Sequence, residues 1–307
     1  MTNPLPIRAK FGFCPLPLRI TAGSIEIEPY PDLEAAVEEL KDSPLVHRDW
    51  IYPPLREAHR FGDNAGTVQL PYQSRIFGLR KTHILTHRSA IEMDQLEFDV
   101  WALSFLLGMR LSTTDAGFLD ATPIKPHSLV DFLVTGRDLC LSLECADRFW
   151  VDNYTNLDRV KVVCSAIHSL FLAQRPQHLQ FESFMYLYTA IDACYALAAM
   201  LRPHCRVGHS DRIAWMCTEF QIDCPRWAKR SGTEVPVARM RNQAFHKALF
   251  IDQPLGFTAS FPPAFRGIEM ELKALVCRLV VAMLGIPAPS YINSSVHNPQ
   301  ISQLSVG

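Results

Sequence analysis

The segment Val237-Ala238-Arg239-Met240-Arg241-Asn242-Gln243-Ala244-Phe245-His246-Lys247 sets a guanidinium, a carboxamide and an imidazole close together along the chain. A histidine titrating near neutral pH can carry a proton to or from a reacting oxygen. A guanidinium can brace a phosphate that gains charge in its transition state. The Asn242 carboxamide can orient either partner, or the phosphate itself, by hydrogen bonding. Together these groups suit proton transfer and charge stabilisation at a phosphate. On an ideal helix Arg241 and His246 diverge by about 140°, so they share a site only near a helix end or in a groove between subunits.

Other residue sets carry less. His204, Cys205, His209, Cys217 and Cys224 are the densest potential metal ligands, but they include no Cys-x-x-Cys pair and no regular ligand spacing. They read as buried apolar thiols rather than a zinc site, and no metal or other cofactor is expected. His83 and His87 fit one helical face, yet an HxxxH pair without an intervening glutamate is a poor metal signal. Arg80 with His87, and Arg202 with His209, are bare Arg…His pairs separated by six residues and without the adjacent Asn. Trp50, Tyr52, Phe61 and Tyr72 lie in a loop-rich stretch, where they form either a recognition surface or part of a core. Arg239 and Lys247 either add phosphate affinity or belong to a solvated helix face.

The motif needs a scaffold, and the sequence around it is helical. Apolar periodicity predicts helices over residues 157–173, 179–201, 210–220, 235–250 and 264–284, with Asn156 and Ser210 as caps and Gly285-Ile286-Pro287 as a stop. The first half differs. Residues 20–28 alternate apolar and acidic side chains like a half-buried strand, and 31–41 read as a short helix opened by Asp32. Proline, glycine and asparagine punctuate 50–78 into loops and short strands. Residues 94–110 form a helix apolar on nearly all sides, as expected inside a core. The stretch 128–149 is ambiguous.

The chain of 307 residues is long enough for about two domains. These are expected as an α+β N-terminal domain over 1–150, a helical bundle over 151–290 and a polar, disordered tail over 291–307. A formal charge of −1 excludes a surface basic overall, so any contact with RNA must be local. Nine cysteines without a paired framework, and a start without an apolar signal core, fit a reducing cytoplasm. The apolar runs at 100–107 and 275–284 are too short or too interrupted to span a bilayer.

Arg241, Asn242 and His246 together resemble the Arg-Asn-x-x-x-His signature of the HEPN superfamily. Residues 181–201, opening FESFMYLYTAIDACY, look like the aromatic-rich second helix of ApeA-like HEPN proteins, and 278–286 look like their last helix. The resemblance covers the C-terminal half. It implies a metal-independent endoribonuclease working at a homodimer interface, in which the RNA 2′-hydroxyl attacks the adjacent phosphorus to leave a cyclic phosphate and a free 5′-hydroxyl. Arg241 and His246 would be the catalytic pair and Asn242 would support them. Asp192, midway along the neighbouring helix, would hold Arg241 or His246. The setting implied is toxin-like or antiphage RNA degradation, restrained by an antitoxin or other regulatory partner. A second reading stays open: a non-catalytic HEPN dimerisation or nucleotide- and RNA-binding module, with ligand recognition in the N-terminal domain.

Overall fold

A computed structural model describes residues 6–62, 65–203, 207–246, 266–297 and 301–307, with backbone alone for 244–246. The chain is mixed α+β and divides into two compact units, Met1–Ser128 and Leu129–Gly307. The expected boundary near Val151 falls instead inside a helix, because the ambiguous stretch before it is helical and belongs to the second unit.

The first unit runs β1 (Ile7–Gly12), β2 (Ile20–Ala22), β3 (Ile25–Pro29), α1 (Leu33–Lys41), β4 (Val46–His47), β5 (Trp50–Ile51), β6 (Leu55–Arg60), β7 (Gly66–Gln73), β8 (Ile76–Phe77), β9 (Lys81–His87), α2 (Met93–Leu106), β10 (Phe118–Leu119) and β11 (Thr122–Pro123). Its main sheet has the order β1-β9-β3-β2, with every neighbouring pair antiparallel. The single strand expected over 20–28 is a hairpin: Gly23 takes a φ of +54°, which glycine reaches at no steric cost, and reverses the chain. Alternation then points Ile25 and Ile27 inward and leaves Glu26 and Glu28 away from the core.

Strand β9 corrects the expectation that His83 and His87 share a helical face. A strand alternates, so His83, Leu85 and His87 all point into the core. Helix α2 packs against β1 with Leu96, Phe98, Leu103, Phe105 and Leu106 buried, each contributing about 1.5–3 kcal/mol. Among the described residues the β6–β7 hairpin pairs only within itself, and it is largely exposed. Phe61 is 92% and Tyr72 51% exposed, whereas Trp50 and Tyr52 are half-buried.

The second unit runs β12 (Phe132–Leu133), α3 (Gly136–Asn153), α4 (Leu157–Leu172), α5 (Gln180–Leu201), α6 (Arg212–Glu219), α7 (Pro236–His246), α8 (Ile268–Met283), α9 (Pro289–Ile292) and β13 (Ser302–Gln303). Helix α5 packs against α4, α6 and α8, and α3 against α4. Among the described residues only α5 has the length and apolar composition of a bilayer crossing. It carries Glu182 and Asp192 and buries Phe184, Leu187, Ile191 and Leu197 among its neighbours, which reads as the core helix of a bundle. The helix stop at Gly285 is as expected: φ is +69°, and the Gly285 and Ile286 amides donate to Ala282 and Val281 carbonyls at 3.1 and 3.2 Å. Neither expected cap makes a side-chain bond. Asn156 occupies the N-cap position of α4, and Ser210 lies in a 3-10 turn (His209–Asp211) that precedes α6.

The C-terminal segment is not the disordered tail its serines and asparagines suggest. Tyr291 and Leu304 are buried, and β13 pairs in parallel with β12. Buried Arg278 fixes it in place. Its Nε donates to the Ser294 carbonyl at 3.0 Å, Nη2 to Ser294 Oγ at 2.8 Å, and Nη1 to Asp131 at 2.7 Å and the Ala274 carbonyl at 2.8 Å. The Tyr291 hydroxyl donates to the other Asp131 oxygen. Tertiary partners here override local composition.

Candidate phosphate site around Asp192

Helix α7 starts at Pro236, whose fixed φ suits a first turn and whose missing N–H is not needed there. Val237, Ala238 and Met240 are buried and anchor the helix, leaving Arg241 beside them with its side chain 16% exposed. Across from it, Tyr188, Asp192 and Tyr195 recur at spacings of four and three on α5 and so share one face. Asp192 Oδ2 lies 4.0 Å from Arg241 Nη2, and Arg241 stands 5.8 Å from the Tyr188 ring centre. Arg241 Nη1 donates to Asn242 Oδ1 at 3.3 Å. Three of the four sequence candidates, Arg241, Asn242 and Asp192, therefore lie together. His246 is the last described residue of α7, and its side chain lies outside the described residues.

The structure adds residues that the sequence did not single out. Arg212, first residue of α6, donates from Nη1 to Asp192 Oδ1 at 3.4 Å and lies 4.2 Å over the Tyr195 ring. One carboxylate thus faces two guanidiniums. His209 stacks on Tyr188 at 6.2 Å with a 12° interplanar angle, and Asp211 accepts a two-pronged bond from Arg230 at 2.7 and 2.8 Å. Burial, then the Asp192 charge, pushes the Tyr188 phenol up to about 12 against the opposing pull of Arg241 and Arg212, so Tyr188 is a neutral wall of the site. The only sequence signal for this group was the aromatic and acidic spacing on α5.

Asn242 and Gln243, with Arg239 and Glu234, line an open hollow of about 390 Å³ beside the motif. Arg239 spends its charge on Glu234 at 3.6 Å, which suits the solvated-face reading. Lys247 lies outside the described residues. The two bare Arg…His pairs go elsewhere: Arg80 meets Asp32 and Glu39, Arg202 meets Glu219, and His87 is in the first unit's core.

Of the soft-ligand group, His204 and Cys205 lie outside the described residues. Cys217 and Cys224 are electrostatic neighbours, and the Cys224 thiol donates to the Pro225 carbonyl at 3.8 Å. The interaction between the two thiols, with Lys229 nearby, brings the Cys224 thiol down to about 7 and drives Cys217 well up. In the first unit, burial takes His83 down to about 4, with the Leu16 carbonyl opposing, and His83 stacks on Phe11.

Taken together, the Asp192 cluster offers a partly exposed pair of guanidiniums, a proton-inert tyrosine and a carboxamide. This is the equipment for holding a phosphate. Compared with known protein families, with curated proteins and with solved structures, the chain gives no significant match.

Proposed function

We propose that the protein is a metal-independent endoribonuclease of HEPN type. The RNA 2′-hydroxyl attacks the adjacent phosphorus and the 5′-oxygen departs, leaving a cyclic phosphate and a free 5′-hydroxyl. The observation that carries this reading is the placement of Arg241 against Asp192, with Asn242 bonded to Arg241, midway along α7. In this scheme His246 moves the proton and Arg241 steadies the charge that collects on the phosphorus oxygens. Asp192 aims the Arg241 guanidinium, and Asn242 supports it.

Two copies of the motif would line one cleft of a homodimer, which answers the divergence of Arg241 and His246 around a single helix. The first unit would select the substrate or receive the activating signal, and an antitoxin or other regulatory partner would restrain the enzyme. We place the activity in the cytoplasm, in toxin-like or antiphage RNA degradation.

The test is cleavage of labelled tRNA and mRNA in EDTA by the full-length protein, its Arg241→Ala and His246→Ala variants, with the product ends read out. Cyclic phosphate ends that vanish in both variants support the proposal. Equal cleavage by all three proteins sinks it and favours the non-catalytic binding module.

A further inference from the structure

The Asp192 cluster contains one cation that the nuclease reading does not use. Arg212 has five N–H donors, and its described bond to Asp192 is long, at 3.4 Å. Its Nε is buried with no hydrogen-bond partner among the described residues, although its side chain as a whole is 30% exposed. An unsatisfied guanidinium N–H is costly and asks for an acceptor. Asp192 cannot serve both cations fully, since one oxygen faces Arg212 and the other Arg241. Two guanidiniums around one carboxylate leave a local charge of about +1 on a chain whose formal charge is −1.

The two cations come from different helices, α6 and α7, and both meet the tyrosine-bearing face of α5. A guanidinium lying over an aromatic ring is held in its plane while its N–H edge stays available for a planar acceptor. The two non-bridging oxygens of a phosphodiester can accept from both arginines at once, taking up Arg212 donors that Asp192 leaves unused.

We propose that Arg212 is a second phosphate ligand of this site, closing with Arg241 on the non-bridging oxygens of an RNA phosphodiester. Asp192 holds the two side chains apart at the right spacing until the phosphate arrives. Arg212 makes and breaks no covalent bond. It contributes charge and two-pronged hydrogen bonding, so its loss weakens substrate binding as well as the chemical step. The proposal rests on the nuclease reading for the identity of the anion, and on the geometry of Arg212 for the binding role.

The probe is a fluorescein-labelled single-stranded RNA carrying 2′-O-methyl riboses, which lack the attacking hydroxyl. Its affinity for the full-length protein is measured by anisotropy across a salt series. Arg212→Ala is expected to weaken binding by about tenfold or more and to lower the slope of log affinity against log salt by roughly 0.7. Arg212→Lys should recover the salt slope but only part of the affinity, since an ammonium keeps the charge and loses the fork. Unchanged affinity and slope in both variants overturn the proposal, as does a loss in Arg212→Ala that Arg212→Gln fully restores, which would indicate packing rather than charge. The two ideas fail separately. Cleavage lost in His246→Ala with binding intact in Arg212→Ala removes only the second ligand, while binding lost in Arg212→Ala with cleavage unaffected in His246→Ala removes only the nuclease.

Discussion

Arg278 with Asp131 and Tyr291, and Arg212 and Arg241 with Asp192, Tyr188 and Tyr195, are built in one helical unit from the same three residue types. The first group is saturated. The Arg278 side chain is 2% exposed, and its three nitrogens donate to two carbonyls, a hydroxyl and a carboxylate at 2.7–3.0 Å. In the second group Arg212 holds its carboxylate at 3.4 Å, keeps a buried Nε with no hydrogen-bond partner among the described residues and is 30% exposed. An arginine whose three side-chain nitrogens all donate at short range is a structural bolt. One that is desolvated yet incompletely bonded has capacity left for a ligand. Residue type alone does not separate the two cases.

The sharpest way to break this comparison is through the chemistry. His246→Ala should lower RNA cleavage by about 10²- to 10⁴-fold, with the thermal midpoint nearly unchanged. A matching fall in stability would mean that the motif is structural, like Arg278.

Next comes Arg278→Ala. Removing one partner strands Asp131 beside the bundle and should cost about 3–5 kcal/mol, measured by urea unfolding. A loss below about 1 kcal/mol, the usual worth of an exposed pair, would erase the contrast.

A pH series leaves both arginines charged and probes the buried histidine of the first unit instead. His83 sits at about 4 in the folded chain, below its ordinary 6.5, so the unfolded state binds the proton first. Stability is therefore whole above about pH 6.5 and declines as pH falls towards about 4, by about 3 kcal/mol in all. His83→Asn should flatten that window in an unfolding titration. An identical slope in the variant would assign the acid sensitivity elsewhere.

The smallest expected effect completes the comparison. Arg212→Ala should change unfolding stability by less than about 1 kcal/mol, because its ion pair is long and partly exposed. A loss as large as that of Arg278→Ala would make Arg212 a bolt as well.

How much of this was legible in the sequence depended on whether a feature was local. Helices α4, α5 and α8 could be read because their apolar residues recur at helical spacing, and Gly285 announced its own stop. The β2–β3 hairpin could not, since one glycine inside an alternating run decides between a strand and a turn. Helix α3 stayed ambiguous because it opens at Gly136, at a φ of +55°, in a stretch of mixed polarity. The C-terminal segment misled because its order comes from Arg278, Asp131 and β12, all distant in sequence. The site divides the same way. Arg241 and Asn242 are neighbours in a motif and were visible, whereas Arg212 is defined only by an aspartate twenty residues earlier and an arginine on another helix.

The parallel pairing of β12 with β13 has a consequence for the order in which the unit is made. Asp131 and Phe132 leave the ribosome first, but their partners Tyr291, Ser302 and Leu304 come last. Domains generally fold as units while synthesis proceeds, yet this one cannot fasten its own beginning until residue 304 has emerged. Asp131 meets its arginine only after residue 278 has emerged, and its tyrosine only after residue 291. A ribosome stalled anywhere before that point carries an unlatched bundle, so completion of the fold itself delays any activity of the helical unit until translation has passed through nearly all of it.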